Sequence, residues 1–255
     1  MGARRVLIAT GFVVAEGMAE TDGPPGAAVL GRALRRLGAQ VRYTSDPVVL
    51  PVLEASLRAL DEPLDVFAYP EGSDAASSVL KRERSTHLVA IERPGRGRAG
   101  DYLNARGTSV AQWNRPLDEM FLLARRAGRP VTIGVGDGGN EIGMGRVRAR
   151  LAREGALMAR IASVVSVDHL VVAGVSNWGA YGIVAQLGRL TGQPLLHTPT
   201  DERTMIDACV SAGAVDGITR RREPTVDALD ADTHAAVVAL LGLSWGDLSK
   251  RGERA

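Results

Sequence analysis

Residues 131–145 read VTIGVGDGGNEIGMG, an apolar run that ends in a glycine-rich turn. Val131, Ile133 and Val135 alternate along this run, as in a short buried strand, and the pattern that follows predicts a helix over residues 146–153. A short buried strand, a glycine-rich turn and a helix form a unit that is typical of parallel α/β sheets. The unit therefore indicates which fold class the rest of the chain should show.

Strand-like and helix-like runs alternate on both sides of this unit, and no proline- or serine-rich linker interrupts them. Strands are predicted over residues 5–12, 39–46, 65–70, 87–95, 131–136 and 169–177, with a weaker seventh at 194–199. Helices are predicted over residues 27–38, 47–60, 74–84, 115–128, 141–154 and 178–192, and near 201–212 and 231–241. We predict one doubly wound, Rossmann-like α/β domain over residues 1–243, with a mostly parallel sheet, helices on both faces and a polar tail over 244–255.

Composition excludes several functional classes. A net charge of +2, from 31 basic and 29 acidic residues, gives no basic surface for nucleic acid. The chain has two lysines, Lys81 and Lys250, both in polar stretches, which argues against a P-loop or a pyridoxal phosphate enzyme. No apolar run approaches ~18 residues, so no membrane span is expected. The single cysteine, Cys209, and the lack of a signal-peptide pattern indicate a cytoplasmic protein.

Polar side chains cluster where the predicted strands end. In an open parallel sheet, ligands bind outside the carboxyl ends of the strands, near a switch in strand order. We therefore predict a substrate site formed by four loops, which contribute Glu20, Thr21 and Asp22; Glu92 and Arg93; Asp137, Gly138, Gly139, Asn140 and Glu141; and Asn177 and Trp178.

Several of these residues also have structural interpretations. Thr21 and Asp22 could cap the helix that follows them, and Asn177 could cap its own helix. Glu92 and Arg93 could pair with each other.

For two aromatic side chains, the sequence also leaves open whether they contact a ligand or have a structural role. Trp178 could pack in the core instead of contacting a ligand. His197 ends the weaker seventh strand, from which it could reach the site.

Gly134, Gly136 and Gly139 match the spacing of a dinucleotide-binding turn. However, the next strand ends without the carboxylate that would hold a ribose, and Asp137 would repel a pyrophosphate. We therefore expect no organic cofactor. The turn is better suited to display Asp137 and Glu141, either as a general base or as ligands of a divalent cation such as Mg²⁺ or Mn²⁺.

Five stretches together resemble a known family. They are TGF at 10–12, ETDGPPGA at 20–27, AIERPGR at 90–96, GVGDGGNEIGMG at 134–145 and AGVSNWGAYG at 173–182. In this order and spacing they are similar to the C-terminal domain family of D-glutamate cyclase, over most of the chain. TVDALDADTH at 225–234 resembles the family's C-terminal segment and adds His234 to the candidates.

The resemblance implies a carbon–oxygen lyase that closes D-glutamate to 5-oxo-D-proline. In the vertebrate mitochondrial enzyme, this domain is joined to a second one. For such a reaction we predict a base among Asp22, Asp137 and Glu141, with Asp137 as first choice. Arg93 or the amides of residues 138–141 would hold the substrate carboxylates and the oxyanion. A cation between Asp137 and Glu141 would serve the same purpose.

Two other functions fit the same residues. One is a non-catalytic module that binds a small amino or carboxylic acid. The other is a lyase or hydrolase that acts on a related acidic amino-acid derivative. Whether the chain forms a homo-oligomer is left open by the sequence.

Overall fold

The computed structural model describes residues 4–249, with side chains described through residue 243. In chain order the elements are β1 (Arg5–Thr10), β2 (Val13–Ala15), β3 (Met18–Ala19), α1 (Pro24–Arg36), β4 (Gln40–Ser45), α2 (Leu50–Ala59), β5 (Val66–Ala68), α3 (Ala75–Glu83), β6 (His87–Ile91), α4 (Asp118–Ala127), β7 (Val131–Gly136), α5 (Arg148–Leu151), α6 (Ala156–Ile161), β8 (His169–Val172), α7 (Ser176–Thr191), α8 (Pro199–Ser211), β9 (Thr225–Val226), β10 (Leu229–Asp230) and α9 (Ala231–Ser249). Helices and parallel strands alternate through most of the chain, as predicted.

The central sheet has six parallel strands in the order β5-β4-β1-β6-β7-β8. The chain builds outward from β1 through β4 to β5, and then returns to the other side of β1 with β6. Ile8 on β1 accordingly lies beside Tyr43 of β4 and Val89 of β6. The order of the strands therefore switches between β1 and β6, which confirms the doubly wound prediction and places the expected ligand crevice there.

Helices cover both faces of this sheet because successive side chains of a strand point to opposite sides. Val6 and Ile8 of β1 pack into a core with residues of α1, α2 and α7. Leu7 and Ala9 of the same strand pack on the other face, with residues of α3 and α4. This two-sided burial explains why the strands read as nearly continuous apolar runs.

The prediction of a long helix directly after β7 is wrong. Residues 137–147 form an irregular loop, and only the one-turn helix α5 falls within the predicted 146–153. The amides of Gly143 and Gly145 both donate to the carbonyl of Val165, at 2.9 and 3.0 Å. These bonds fasten the loop to the segment before β8, so its backbone does not enter a helix.

The predicted strand at 194–199 is also absent from the described residues. This segment is irregular until α8 begins at Pro199, and the side chain of His197 turns inward to Glu202. At the other end of α8, the chain forms the two-residue strands β9 and β10, which pair as a hairpin. Strands this short leave no readable alternation in a sequence.

The last helix is longer than predicted. α9 continues to Ser249, so the first residues of the predicted tail, 244–249, have a helical backbone. Residues 250–255 of that tail lie outside the described residues. Within the described part of the chain, no helix has both the length and the apolar character that crossing a bilayer requires.

Candidate active site

A cavity of about 410 Å³ lies at the carboxyl ends of the central strands, where the order of the strands switches. This volume suits a small metabolite. No described residue that lines it is an arginine, lysine or histidine. Five lining residues are acidic, and they come from four separate segments: Glu20, Glu92, Asp137 with Glu141 from the loop after β7, and Asp227.

The N-terminus of α7 points into this group of carboxylates. The backbone amide of Ser176 donates to Asp22 Oδ2 at 2.9 Å and to Asp137 Oδ2 at 3.1 Å. The Ser176 hydroxyl donates to Glu92 Oε2 at 2.6 Å. Since a helix N-terminus carries a partial positive charge, α7 offsets part of the negative charge of the site. Ser176 was not among the predicted site residues, yet it binds three carboxylates.

Asp22 and Asn177 cap each other's helices. Asn177 Oδ1 accepts the amides of Gly23 and Gly26 at the start of α1, at 3.0 and 2.8 Å. In return, Asp22 Oδ1 accepts the amide of Asn177 at 2.8 Å, at the start of α7. Each residue was expected either to contact substrate or to cap the helix nearest to it in sequence. Neither lines the cavity, so both position the loops that surround it.

Thr21 also has a structural partner. Its hydroxyl donates to the carbonyl of Thr225 at 2.8 Å, which ties the loop after β3 to the β9–β10 hairpin. Thr21 is fully buried and does not line the cavity.

The loop after β7 folds back on its own glutamate. Glu141 Oε1 accepts the amide of Gly138 at 2.7 Å, and Oε2 accepts the amide of Gly139 at 2.8 Å. These amides were predicted to bind a substrate carboxylate, and they already bind that of Glu141. Asn140 Nδ2 donates to the carbonyl of Leu103 at 2.8 Å, while the residue lines the cavity. The loop therefore presents carboxylates, and not free amides, to a ligand.

Arg93 is not part of the cavity. Its fully buried guanidinium pairs with Asp46 and donates to the carbonyls of Gly11 and Arg115, at 3.0 and 2.7 Å. Glu92, its neighbour in the chain, faces the opposite way, into the cavity, from a backbone with φ of 42°. The structure thus separates two residues that were expected to pair or to act together.

Trp178, His234 and His197 lie outside the lining of the cavity. Trp178 Nε1 donates to His234 Nδ1 at 2.8 Å, and His234 Nε2 lies 3.1 Å from the carbonyl of Val226 in the β9–β10 hairpin. His197 is buried 2.8 Å from Glu202. Trp178 and His234 support the β9–β10 hairpin from outside the cavity, and His197 packs between α7 and α8.

Asp227 was missed by sequence reasoning. It lies at the tip of the β9–β10 hairpin, where it and Ala228 both have positive φ, 52° and 63°. Asp216 holds the hairpin, because its Oδ2 accepts the Thr225 hydroxyl and the Ala228 amide, each at 2.7 Å. The family-like segment TVDALDADTH contains both Asp227 and His234. Of the two, Asp227 lines the cavity and His234 does not.

The carboxylates hold protons unusually tightly in this environment. Burial and the charges of Asp22 and Glu141 raise the pKa of Asp137 to about 10. Burial and the charge of Asp22 raise the pKa of Asp227 to about 8. The pKa of Glu92 lies well above its ordinary value, chiefly because of burial and then because of Asp137. Such shifts are common at sites that bind cations or transfer protons.

Two groups of three carboxylates are compact enough to share a cation. Oxygens of Glu92, Asp137 and Glu141 lie within 4.8 Å of one another, as do oxygens of Asp22, Asp137 and Asp227. All-oxygen donor sets of this kind suit Mg²⁺ or Mn²⁺. The first group fits better, because all three of its members line the cavity, whereas Asp22 is turned towards the helix amides.

Comparison with known proteins agrees with this architecture. A family model described as D-glutamate cyclase-like, C-terminal, matches residues 1–242. The human protein named D-glutamate cyclase, mitochondrial, is 38% identical over 203 residues, which cover 72% of this chain and 33% of that protein. The chain thus spans about a third of the length of this curated relative. With a family match over nearly its whole length, the chain belongs to the D-glutamate cyclase-like, C-terminal family.

Proposed function

We propose that this chain is a carbon–oxygen lyase that closes D-glutamate to 5-oxo-D-proline with loss of water. The observation that carries the proposal is the cavity at the switch point, whose acidic lining includes Asp137 and Glu141 from the family-like loop. The name of the human relative supports the choice of reaction.

The charges of the cavity fit this substrate under one condition. Five lining carboxylates, with no arginine, lysine or histidine among the described residues that line the cavity, would repel a dianion, since like charges at ~4 Å interact by several kcal/mol at a protein surface. D-Glutamate carries an ammonium group in addition to its two carboxylates. Its ammonium can face the acidic wall, whereas its carboxylates need a cation or a proton between them and the protein.

The residues that would hold a divalent cation are Glu92, Asp137 and Glu141. A cation bound there would neutralise charge beside the γ-carboxylate and act as a Lewis acid. Asn104 also lines the cavity, and its amide nitrogen donates to no described residue, so it is available to a substrate oxygen.

The chemistry requires a neutral amine, a bent substrate and a protonated leaving oxygen. Binding in a cavity of this size would select the bent conformer, and well-oriented intramolecular reactions gain ~7 kcal/mol or more. Of the three predicted bases, Asp22 is the weakest choice because it caps α7 and does not line the cavity. Asp137 and Glu141 remain as the groups that move protons, a role typically worth ~100- to 10,000-fold in rate.

Proton NMR of metal-stripped protein tests the proposal. D-Glutamate and L-glutamate are incubated separately, each with and without Mg²⁺ or Mn²⁺. We expect 5-oxoproline from the D-isomer, faster with the cation, and no product with Asp137→Asn. Asp207→Asn is the matched control, because Asp207 is exposed on α8, away from the cavity, and its replacement should leave the rate unchanged.

The same experiment separates the alternatives. Ligand signals that broaden without any product, with or without a cation, would contradict the lyase and favour a module that only binds an acidic amino acid. Turnover of other acidic derivatives in place of D-glutamate would favour a different lyase or hydrolase. A cytoplasmic location also remains a proposal, since the name of the human relative assigns that protein to mitochondria.

A further inference from the structure

Among the acidic residues of the cavity, Glu20 has an oxygen that is both fully buried and without a hydrogen-bond partner among the described residues. The side chain is only 7% exposed and lines the cavity, and its Oε1 has no hydrogen-bond partner among the described residues. Its backbone is fixed on two sides. The Glu20 amide donates a hydrogen bond to the carbonyl of Phe12 at 3.1 Å, and a β-bridge joins Glu20 to Val215. A rigidly held, buried carboxylate with a free acceptor points to a ligand that donates.

The surroundings of Glu20 favour a positively charged donor. Burial raises the pKa of Glu20 well above its ordinary value, and the charges of Asp227, Asp22 and Asp137 raise it further. No described cation of the protein lines the cavity to offset this group. A buried carboxylate without a cation is costly, so the compensating charge has to come from the ligand.

A bound metal ion would not reach Glu20 in the same way. Glu20 belongs to neither group of carboxylates whose oxygens lie within 4.8 Å of one another. An ammonium group fits better, because it offers three N–H donors in different directions and makes strong, charge-assisted hydrogen bonds to carboxylates.

We propose that Glu20 binds the α-ammonium group of the substrate, and that it restricts the site to free amino acids. This inference rests on the proposed function and specifies its substrate class. A compound whose nitrogen is acylated, or that lacks the nitrogen, would leave Oε1 unpaired and bring no positive charge into the cavity. Such compounds are rejected at Glu20, while their carboxylates are still recognised elsewhere in the site.

Gly217 provides a second way to disturb Glu20. A Cβ atom on Gly217 would lie 2.1 Å from Glu20 Oε2, so the absence of a side chain at 217 leaves the room that the carboxylate occupies. Gly217→Ala therefore displaces Glu20 without changing any charge. Its matched control is Gly182→Ala, because no atom lies within 4 Å of the added carbon on that helix.

The test measures the preference for an amine by titration calorimetry, in the presence of Mg²⁺. D-Glutamate is compared with glutarate, which keeps both carboxylates and lacks the nitrogen, and with N-acetyl-D-glutamate. For the wild-type protein we expect D-glutamate to bind about 10- to 100-fold more tightly than either analogue, as for a hydrogen bond to a charged group. Glu20→Gln and Gly217→Ala should lose most of that preference, whereas the exposed Glu16→Gln and Gly182→Ala should keep it.

The outcomes distinguish this inference from the proposed function. If wild-type protein converts D-glutamate but both site variants keep the preference for the amine, Glu20 is not its acceptor and the inference fails alone. If wild-type protein neither binds nor converts D-glutamate, the proposed function fails and the inference fails with it. Because Gly217→Ala keeps every charge, its result decides the matter if Glu20→Gln does not fold.

Discussion

Two aspartates, the buried Asp118 and the partly buried Asp137, show how the same side chain serves two purposes in this protein. Asp118 is fully buried, and Arg96 approaches its two oxygens at 2.7 and 3.0 Å while the Tyr102 hydroxyl donates at 2.5 Å. Asp137 accepts the amide of Ser176 and otherwise faces other carboxylates. A buried acid with its own cation stabilises the fold, whereas one without a cation is completed by a ligand or a proton.

The loop after β6 contains both kinds of side chain, those that form ion pairs in the fold and one that faces the cavity. Arg93 reaches away from the cavity to Asp46, and Arg96 reaches away to Asp118, while Glu92 faces the cavity. The arginines of this loop thus anchor it to the rest of the domain. Glu92, the acidic side chain that this loop turns to the cavity, adds negative charge and so increases the demand of the site for a cation.

The largest effect should come from Asp137→Asn. We expect activity to fall by about 100- to 10,000-fold, because Asp137 belongs to both groups of carboxylates that could hold a proton or a cation. The free energy of unfolding should not fall, since the wild-type protein has to take up a proton at Asp137 when it folds at pH 8 and the variant does not. Rates measured by NMR check the effect on activity, and urea unfolding at pH 8 checks the effect on stability. A large loss of stability would show that Asp137, like Asp118, belongs to the framework of the fold.

Asp118→Asn should behave in the opposite way. Removing the charge leaves Arg96 without its main partner, and breaking a fully buried pair costs ~3–5 kcal/mol of unfolding free energy. Arg96 is partly exposed, so we expect about 2–3 kcal/mol in urea unfolding. Activity per folded molecule should stay within a few-fold of wild type. A catalytic defect in fully folded protein would contradict the division between the two aspartates.

The pH dependence of stability sharpens the comparison further. The pKa values of Asp227 and Asp137 are raised to about 8 and about 10, against about 4 for an unfolded aspartate. Between these limits the folded state holds protons that the unfolded state has released, so stability is fully present below pH ~4 and falls as pH rises.

We therefore expect metal-free wild-type protein to lose stability from pH 5 to pH 8 relative to Asp137→Asn, by up to about 4 kcal/mol. Urea unfolding at the two pH values measures this difference. Mg²⁺ or Mn²⁺ at pH 8 should restore the stability of the wild-type protein and leave that of Asp137→Asn nearly unchanged. Parallel pH profiles for the two proteins would show that Asp137 is already compensated in the fold.

The smallest effect concerns the hairpin that carries Asp227. Ala228 has φ of 63°, a conformation that favours glycine, so Ala228→Gly should relieve strain. We expect a gain of up to about 1 kcal/mol in unfolding free energy, reduced by the greater freedom of glycine in the unfolded chain. Thermal unfolding checks the direction. A clear loss of stability would mean that the Ala228 methyl group makes a contact worth more than the strain.

The fold was largely predictable because long elements carry strong periodic patterns. The continuous apolar run of β1 indicates a strand buried on both faces, and the helical spacing of apolar residues in α1 indicates a helix with one buried face. The loop 137–147 was predicted incorrectly because contacts with the distant Val165 decide its conformation, and the segment at 194–199 because His197 turns inward to Glu202. Local sequence contains no record of such partners.

The candidate site was predictable by region and less so by residue. Glu20, Glu92, Asp137, Asn140 and Glu141 do line the cavity, since polar side chains at strand ends converge there. Asp22, Asn177 and Trp178 lie in the same loops but turn towards helix amides or a histidine. Asp227 arrives on a hairpin far along the chain, so only the folded structure brings it to the site.

The exchange of caps between α1 and α7 also has a consequence for how the protein is made. Asn177 receives the first amides of α1 from residues 154 and 151 positions earlier, and Asp22 serves α7 across 155 positions. At ribosomal rates of ~5–20 residues per second, α1 emerges on the order of ten seconds or more before its cap. Closing so long a loop is also slow, since distant contacts delay folding. The acidic cavity should thus be among the last features to form during synthesis, and a nascent chain should present its first helix uncapped to the cell.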